Sequence, residues 1–419
     1  MIRRPWSIVG ILCLLAIMSY LDRYIVALLA NDITRDLHVS DVQIGMLIGV
    51  SFGLLYSVIS LPIAYFLDRG SRVRLVLAGV ILWSLCTMLS GFAQNYALLF
   101  TLRAGVAIGE AVLTPAAISL IADLFPRERR TLPSSVYMAT SALMGAASFV
   151  LGGAIFALAT RVAPIVDLAP WRATMAMVGC PGLVLAIVWA MVREPDRTEA
   201  KAAAASVPAA IRYVWGHRAF YLVLYGGLGL SALGSYAFIS WGVTILIRSH
   251  GQSVAQAGAA YGGVGMIAAI AAAISWPALT DLLRRRGRHG APIVLLAAGL
   301  SLGHVCLAML ALTDRLDVTI ALMGAATFAF ATGGSLPVLA IQFAAPDWMR
   351  AKTVSLYMLV GNLMGLVFGP PLCALIAERV FAGPDALRQS LALMGAASAP
   401  VAALVILAAR RPYGRLVNA

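Results

Sequence analysis

Four ionisable residues sit where water is scarce. Asp22 and Arg23 fall in the apolar run 6–30, and Arg103 and Glu110 fall in the run 97–122. A charge at the depth of a bilayer core costs roughly 3 kcal/mol or more, so each must face a partner or a wet cavity. At about 1.5 Å per helical residue, Asp22 and Arg23 lie ~6–8 Å from the middle of their run, toward its outer end. Arg103 lies ~9 Å out on the same side, and Glu110 close to the middle. Arg103 and Glu110 share a helix face but stand ~10 Å apart along the axis, too far for an ideal pair. The layout predicts that Asp22 pairs with Arg103 in the outer half and that Arg23 reaches toward Glu110. Burial favours the neutral acid, and a neighbouring guanidinium favours the carboxylate. An Arg23 that moves between Asp22 and Glu110 would therefore switch Glu110 between holding and releasing a proton. The competing reading is a static ion-pair network that locks two helices.

The elements that must position these residues follow from composition. Of 419 residues, 61% are hydrophobic and 12% charged, against roughly 45–50% and 25% in a soluble domain. Mean hydropathy is +0.90. A soluble enzyme, a disordered chain and a secreted disulfide scaffold are excluded. Twelve apolar runs are expected to span a membrane, near 6–30, 42–66, 73–93, 97–122, 133–159, 172–192, 219–247, 254–280, 291–312, 318–344, 353–377 and 388–410. The first follows Arg3 and Arg4 without an early cleavage site, and reads as a retained helix. The net charge of +13 does not indicate nucleic acid, because the basic residues sit in short clusters between apolar runs. With the N-terminus inside, 22 of the 31 Lys and Arg fall in inner segments, seven in outer ones, and Arg23 and Arg103 within spans. That bias places both termini in the cytoplasm.

The longest polar interruption, 193–218, divides the chain into a six-span bundle at 1–192 and another at 219–419. The halves are related. At a shift of 213, Ser40, Gln43, Gly45, Gly49 and Asp68 fall on Ser253, Gln256, Gly258, Gly262 and Asp281. At a shift of 220, Pro126, Ser135, Tyr137, Met138, Met144 and Gly145 fall on Pro346, Ser355, Tyr357, Met358, Met364 and Gly365. Two parallel six-helix repeats around a central site are a transporter plan. The charges are not duplicated: Asp22, Arg23 and Glu110 fall on Ser235, Tyr236 and Phe330. A cavity between the halves would be amphipathic and would suit a substrate with an acidic or zwitterionic head and an apolar body.

The loop after the second span holds Asp68, Arg69, Arg72 and Arg74, and Asp281 with Arg284, Arg285 and Arg286 is its repeat copy. An Asp there can cap a helix N-terminus, and the arginines can pair with carboxylates. Glycines recur at four-residue spacing at 45, 49 and 53 and at 361, 365 and 369, a pattern for close helix contact. The five cysteines lie scattered in apolar runs, with no disulfide framework and no metal spacing. Gly299-Leu300-Ser301-Leu302-Gly303 with His304 fits a hydrolase nucleophile pattern, but that motif needs a strand-to-helix turn and here lies inside a span. The sequence has no Walker loop, which argues against ATP-driven transport.

The two-repeat plan and the loop Ala64-Tyr65-Phe66-Leu67-Asp68-Arg69-Gly70-Ser71-Arg72 resemble the major facilitator superfamily over essentially the whole chain. Tyr20-Leu21-Asp22-Arg23-Tyr24, Arg103-Ala104-Gly105-Val106-Ala107-Ile108-Gly109-Glu110-Ala111 and Leu120-Ile121-Ala122-Asp123-Leu124-Phe125 resemble its Spinster branch. Ala64 stands where the loop motif usually begins with Gly, and Ser71 where a second Gly is common. Val112-Leu113-Thr114 replaces the Ser-Tyr-Ser run expected after the Glu-Ala pair. The resemblance implies that the inner-loop contacts close the cytoplasmic side when the protein opens outward. It also implies a lipid substrate such as a lysophospholipid or sphingoid species.

The expected fold is an all-α membrane protein of twelve transmembrane helices in two pseudo-symmetric six-helix bundles. The expected function is secondary transport by alternating access, coupled to protons through Asp22, Arg23, Arg103 and Glu110, with no enzymatic activity. Asp68, Arg69, Arg72 and Asp281 are the candidate cytoplasmic gate. Tyr20, Tyr24, Tyr236 and Asn362 are candidates for the substrate cavity. The alternative substrate is a small organic anion or other metabolite, and the reading from another class is a non-transporting receptor. No cofactor or metal is expected. The expected partners are a lipid or small-molecule substrate, protons and membrane lipids, without nucleic acid. The chain is expected to be a monomer in the plasma (inner) membrane.

Overall fold

A computed structural model describes residues 2, 4–197 and 207–417, the side chains of residues 61, 64, 68 and 207 excepted. Among these residues, twelve helices are long and apolar enough to cross a membrane. Spans 1 to 6 are Pro5–Leu37, Asp41–Ser60, Arg72–Ser90, Tyr96–Leu124, Thr131–Val162 and Pro170–Ala190. Spans 7 to 12 are Arg218–His250, Val254–Arg285, Ala291–Leu312, Leu316–Ala344, Asp347–Val380 and Ala386–Val417. Every backbone polar group in a bilayer core must be bonded internally, which selects helices for runs of this length.

Span 1 runs to Leu37, past its expected end near 30. Its polar last turns are held from outside. Asp36 accepts from Arg172 at 2.7 Å and from the Trp171 indole at 3.0 Å. His38 then stops the helix in a left-handed conformation, φ 52°, its N–H on the Thr34 carbonyl.

The chain divides into two compact units, residues 1–200 with 252–263 and residues 201–251 with 264–419. Each repeats the same internal packing. Span 1 packs on spans 5 and 6 and span 3 on spans 4 and 6 in the first unit; span 7 packs on spans 11 and 12 and span 9 on spans 10 and 12 in the second. Of the segment 193–218, residues Val207–Gly216 form a short helix against spans 7 and 11. Residues 198–206, with Glu199 and Lys201, and Arg3 lie outside the described residues.

Two kinds of irregularity interrupt the spans, the first at equivalent places in the two halves. Span 4 breaks after Glu110 and span 10 after Phe330, positions related by the 220 shift. Pro115 and Pro337 follow these breaks. A proline has no N–H, so the carbonyl four residues earlier loses its helical donor. For Pro337 that carbonyl belongs to Gly333, and the Tyr357 hydroxyl donates to it. Tyr137, the equivalent of Tyr357, is buried against Thr114 beside the first break. The second irregularity is a π-helical stretch, Gly49–Leu54 in span 2 and Asn362–Phe368 in span 11. Of the spaced glycines, Gly365 and Gly369 do bring span 11 hard against span 7. A Cβ on Gly365 would lie 2.4 Å from the Tyr236 ring, and one on Gly369 2.6 Å from the Leu233 carbonyl. Gly361 has nothing within 4 Å.

Candidate functional site

Spans 3 and 4 meet through two facing glycines. A Cβ on Gly109 would fall 2.6 Å from the Gly79 carbonyl, and one on Gly79 2.7 Å from the Gly109 carbonyl. This contact seats the next residue, Glu110, in the interior of the first unit. The Asp22 side chain is 3% exposed and Arg103 1%, joined Oδ1 to Nη1 at 2.8 Å. Arg103 also donates to the Asp22 carbonyl at 3.2 Å, and the Thr87 hydroxyl of span 3 donates to Asp22 Oδ2. This pair is enclosed and multiply bonded. The second pair, Arg23 Nη2 to Glu110 Oε2 at 3.0 Å, differs: Glu110 is 0% exposed, whereas the Arg23 side chain is 19% exposed. Of the four charges, Arg23 alone presents appreciable surface.

Aromatic rings surround Arg23. Its Cζ lies 4.9 Å from the Tyr20 centroid, 5.0 Å from Phe52 and 5.0 Å from Tyr56. Tyr20 and Tyr24 stand with centroids 6.4 Å apart, and Tyr24 meets Phe149 at 5.4 Å. The structure therefore brings Asp22, Arg23, Arg103, Glu110, Tyr20 and Tyr24 into one cluster of the first unit. The Tyr236 hydroxyl donates to Asn362 Oδ1 at 3.2 Å within the second unit.

The candidate gate residues are placed differently from one another. Arg72 is buried and fully engaged. Its Nε donates to Glu194 Oε1 at 2.8 Å, its Nη1 to Asp123 and to Ser119 Oγ at 3.2 Å, and its Nη2 to the Pro195 carbonyl at 3.1 Å. Arg69 is exposed, its Cζ 3.8 Å from the Tyr65 centroid. Asp281 is exposed. The Asp68 side chain lies outside the described residues. Capping at the start of span 3 falls to Ser71, whose hydroxyl accepts from Arg74 N–H at 3.2 Å and donates to Glu194 at 2.7 Å. Glu194 takes the Val73 N–H at 2.8 Å.

Burial pushes the Glu194 carboxyl up, but the Ser71 hydroxyl, the Val73 N–H and Arg72 outweigh it and hold it below the usual carboxylate range. A group depressed on folding stabilises above its unfolded value, about 4.3 for Glu, and loses that contribution as pH falls through its folded value. Glu194→Gln is thus expected to lower the melting temperature near neutral pH. The gap to wild type should close as pH falls below about 4. A gap independent of pH would contradict the ionic role.

Sequence reasoning did not assign Thr87, Phe52, Tyr56, Ser119, Asp123 or Glu194 to these clusters. Asp123 and Glu194 carried a signal, as acids at the C-terminal ends of spans 4 and 6, the ends expected to share a side with the arginine-rich loop. Ser301 and His304 bond back to their own helix, Ser301 to Ala297 O at 2.7 Å and His304 Nδ1 to Leu300 O at 2.7 Å. The helix is continuous there, so the strand-to-helix turn of a nucleophile motif is not formed.

Comparison with known proteins agrees with this architecture. An MFS-type efflux pump of Mycolicibacterium smegmatis is 29% identical over 419 residues, covering 99% of this chain and 94% of that protein. Protein spinster homolog 1 of Xenopus tropicalis is 25% identical over 403 residues, 91% of this chain and 74% of that one. The crystal structure of a bacterial homolog of the human lysosomal transporter Spinster superposes with a TM-score of 0.86 at 24% identity, covering 99% of this chain and 98% of that chain. Residues 12–370 match the Major Facilitator Superfamily. The chain belongs to that superfamily and is an integral, multi-pass membrane transporter similar to the Spinster proteins.

Proposed function

We propose that this transporter works by alternating access, couples to protons and moves an amphipathic, lipid-like substrate such as a lysophospholipid or sphingoid species. The observation that carries the reading is the Arg23–Glu110 pair, a fully buried carboxylate held by a partly exposed guanidinium. An acidic headgroup that draws Arg23 to itself removes the countercharge from Glu110. A carboxylate left alone in a dry site takes up a proton. Return of Arg23 after the substrate leaves expels that proton. Asp22 and Arg103 stay bonded to each other through the exchange and fix spans 1 and 4 at the correct spacing. Alternating access moves Glu110 between the two aqueous sides, with Asp68, Arg69, Arg72 and Asp281 serving the cytoplasmic gate. The uncharged repeat equivalents Ser235, Tyr236 and Phe330 suit an apolar substrate body, and the similarity to spinster homolog 1 supports a lipid. The arginine and lysine bias supports a plasma (inner) membrane orientation with both termini cytoplasmic.

A small organic anion is the second reading, favoured by the partial exposure of Arg23 in an otherwise sealed cluster. Flux into proteoliposomes separates the two. A lysophospholipid panel and an organic-anion panel are compared with and without an imposed pH gradient. Gradient-dependent lipid flux is the expected result. Flux of anions alone would move the substrate to the second reading. Binding of either class without flux would make the protein a receptor.

A further inference from the structure

Phe52 is 1% exposed and lies in the middle of the π-helical stretch of span 2. Its ring is shared by both arginines of the cluster, 5.0 Å from Arg23 Cζ and 5.4 Å from Arg103 Cζ. It stacks on Tyr56 at 5.6 Å with the planes 18° apart, and Tyr56 is itself a ring partner of Arg23. The Nε atoms of both arginines are buried without a hydrogen-bond acceptor, so aromatic contacts stand beside the two guanidinium groups where hydrogen bonds do not. Desolvated contacts between a guanidinium and a ring are the strong kind. A one-residue widening of a helix turns every later side chain by about 100° relative to an unbroken helix. The aim of Phe52 at the arginines therefore depends on the π-helical stretch. The second unit differs: span 8, the repeat equivalent of span 2, is α-helical throughout, and the π-helical stretch lies in span 11 instead. Asn362 opens the π-helical stretch of span 11 and bonds Tyr236, and Tyr236 is the repeat equivalent of Arg23 at the 213 shift.

We propose that Phe52 is a positioning residue of the coupling site: its ring, presented by the π-helical stretch of span 2, holds Arg23 on Glu110 and keeps it clear of Arg103. The proposal rests on the reading of Glu110 as proton carrier. The charged and titratable groups facing Glu110 are Arg23 and Asp22 of span 1 and Arg103 of span 4. Those facing Arg23 are Glu110, Tyr56, Tyr20 and Tyr24. Cys86 of span 3 lies by Asp22 and Arg103, and Tyr137 of span 5 by Tyr20 and Tyr56. Without the ring, Arg23 spends less time on Glu110, and the carboxylate binds its proton from a more dilute source.

The test is the pH profile of transport in proteoliposomes, run on whichever substrate class is carried. Phe52→Leu is expected to move the midpoint up by about one pH unit, a tenfold lower proton concentration. Phe52→Tyr keeps the ring and is expected to track wild type. Phe52→Met keeps an unbranched apolar side chain without the ring, and is expected to shift like Leu if Leu itself lowers the yield of folded protein. A wild-type midpoint in both Phe52→Leu and Phe52→Met overturns the positioning role. Glu110→Gln is run alongside. If it keeps the wild-type profile, the coupling reading itself has failed, and that outcome is distinguishable from failure of the Phe52 role.

Discussion

Glu110→Gln is expected to abolish accumulation driven by a pH gradient while leaving exchange of substrate down its own gradient. The amide has nearly the shape of the acid and fills the same buried site between spans 1 and 4. It stays neutral at every pH, so the site behaves as if permanently protonated. Arg23 loses a charge-assisted bond worth about 1.5–3 kcal/mol, and is freed for the substrate. Apparent substrate affinity should therefore hold or tighten as the coupled rate falls to the level seen without a gradient. The pair of measurements, accumulation under an imposed gradient and counterflow without one, separates loss of coupling from loss of folding. Accumulation that persists in the variant would remove Glu110 from the mechanism. Accumulation and counterflow lost together would point to a structural role.

Arg103→Ala is expected to cost about 3–5 kcal/mol of stability. The mutation strands Asp22, 3% exposed, in an apolar interior with Thr87 as its remaining side-chain partner. A buried ion pair adds little against a well-packed apolar pair, but breaking one side leaves an uncompensated charge. The double variant Asp22→Asn with Arg103→Ala removes that charge, and should recover a large part of the lost stability. Melting temperatures of the purified single and double variants check both statements. An Arg103→Ala protein that melts with wild type would show that Asp22 is not held as a lone carboxylate there. Removal of Glu110 should cost less than removal of Arg103, because the Arg23 side chain it leaves behind is 19% exposed rather than sealed in.

The depth arithmetic on spans 1 and 4 was enough to match Asp22 with Arg103 and Arg23 with Glu110, because four charges in a bilayer leave few ways to pair. The spans themselves followed from apolar length, and the arginine clusters between them marked where chain leaves the membrane. Other features had no such signal. Phe52 is one aromatic among many in apolar runs, and nothing in Gly49–Leu54 distinguishes a π-helical from an α-helical turn before the packing is known. Thr87 is a small polar residue that could equally bond its own helix. The partners of Arg72 were not legible either, because Asp123 and Glu194 lie 51 and 122 residues away, both in its own unit. The breaks after Glu110 and Phe330 become intelligible once Pro115 and Pro337 are set beside them. Span 1 overran its apolar run because Asp36 found Trp171 and Arg172, a tertiary contact that no local periodicity encodes.

The central claim is that substrate and proton share the Arg23–Glu110 site. The most direct measurement is proton movement itself, read by a pH-sensitive dye trapped in proteoliposomes when a lysophospholipid or organic anion is added. The account predicts a substrate-evoked pH change with wild type, absent in protein-free vesicles and in Glu110→Gln. Substrate flux without any pH change in wild type would contradict it.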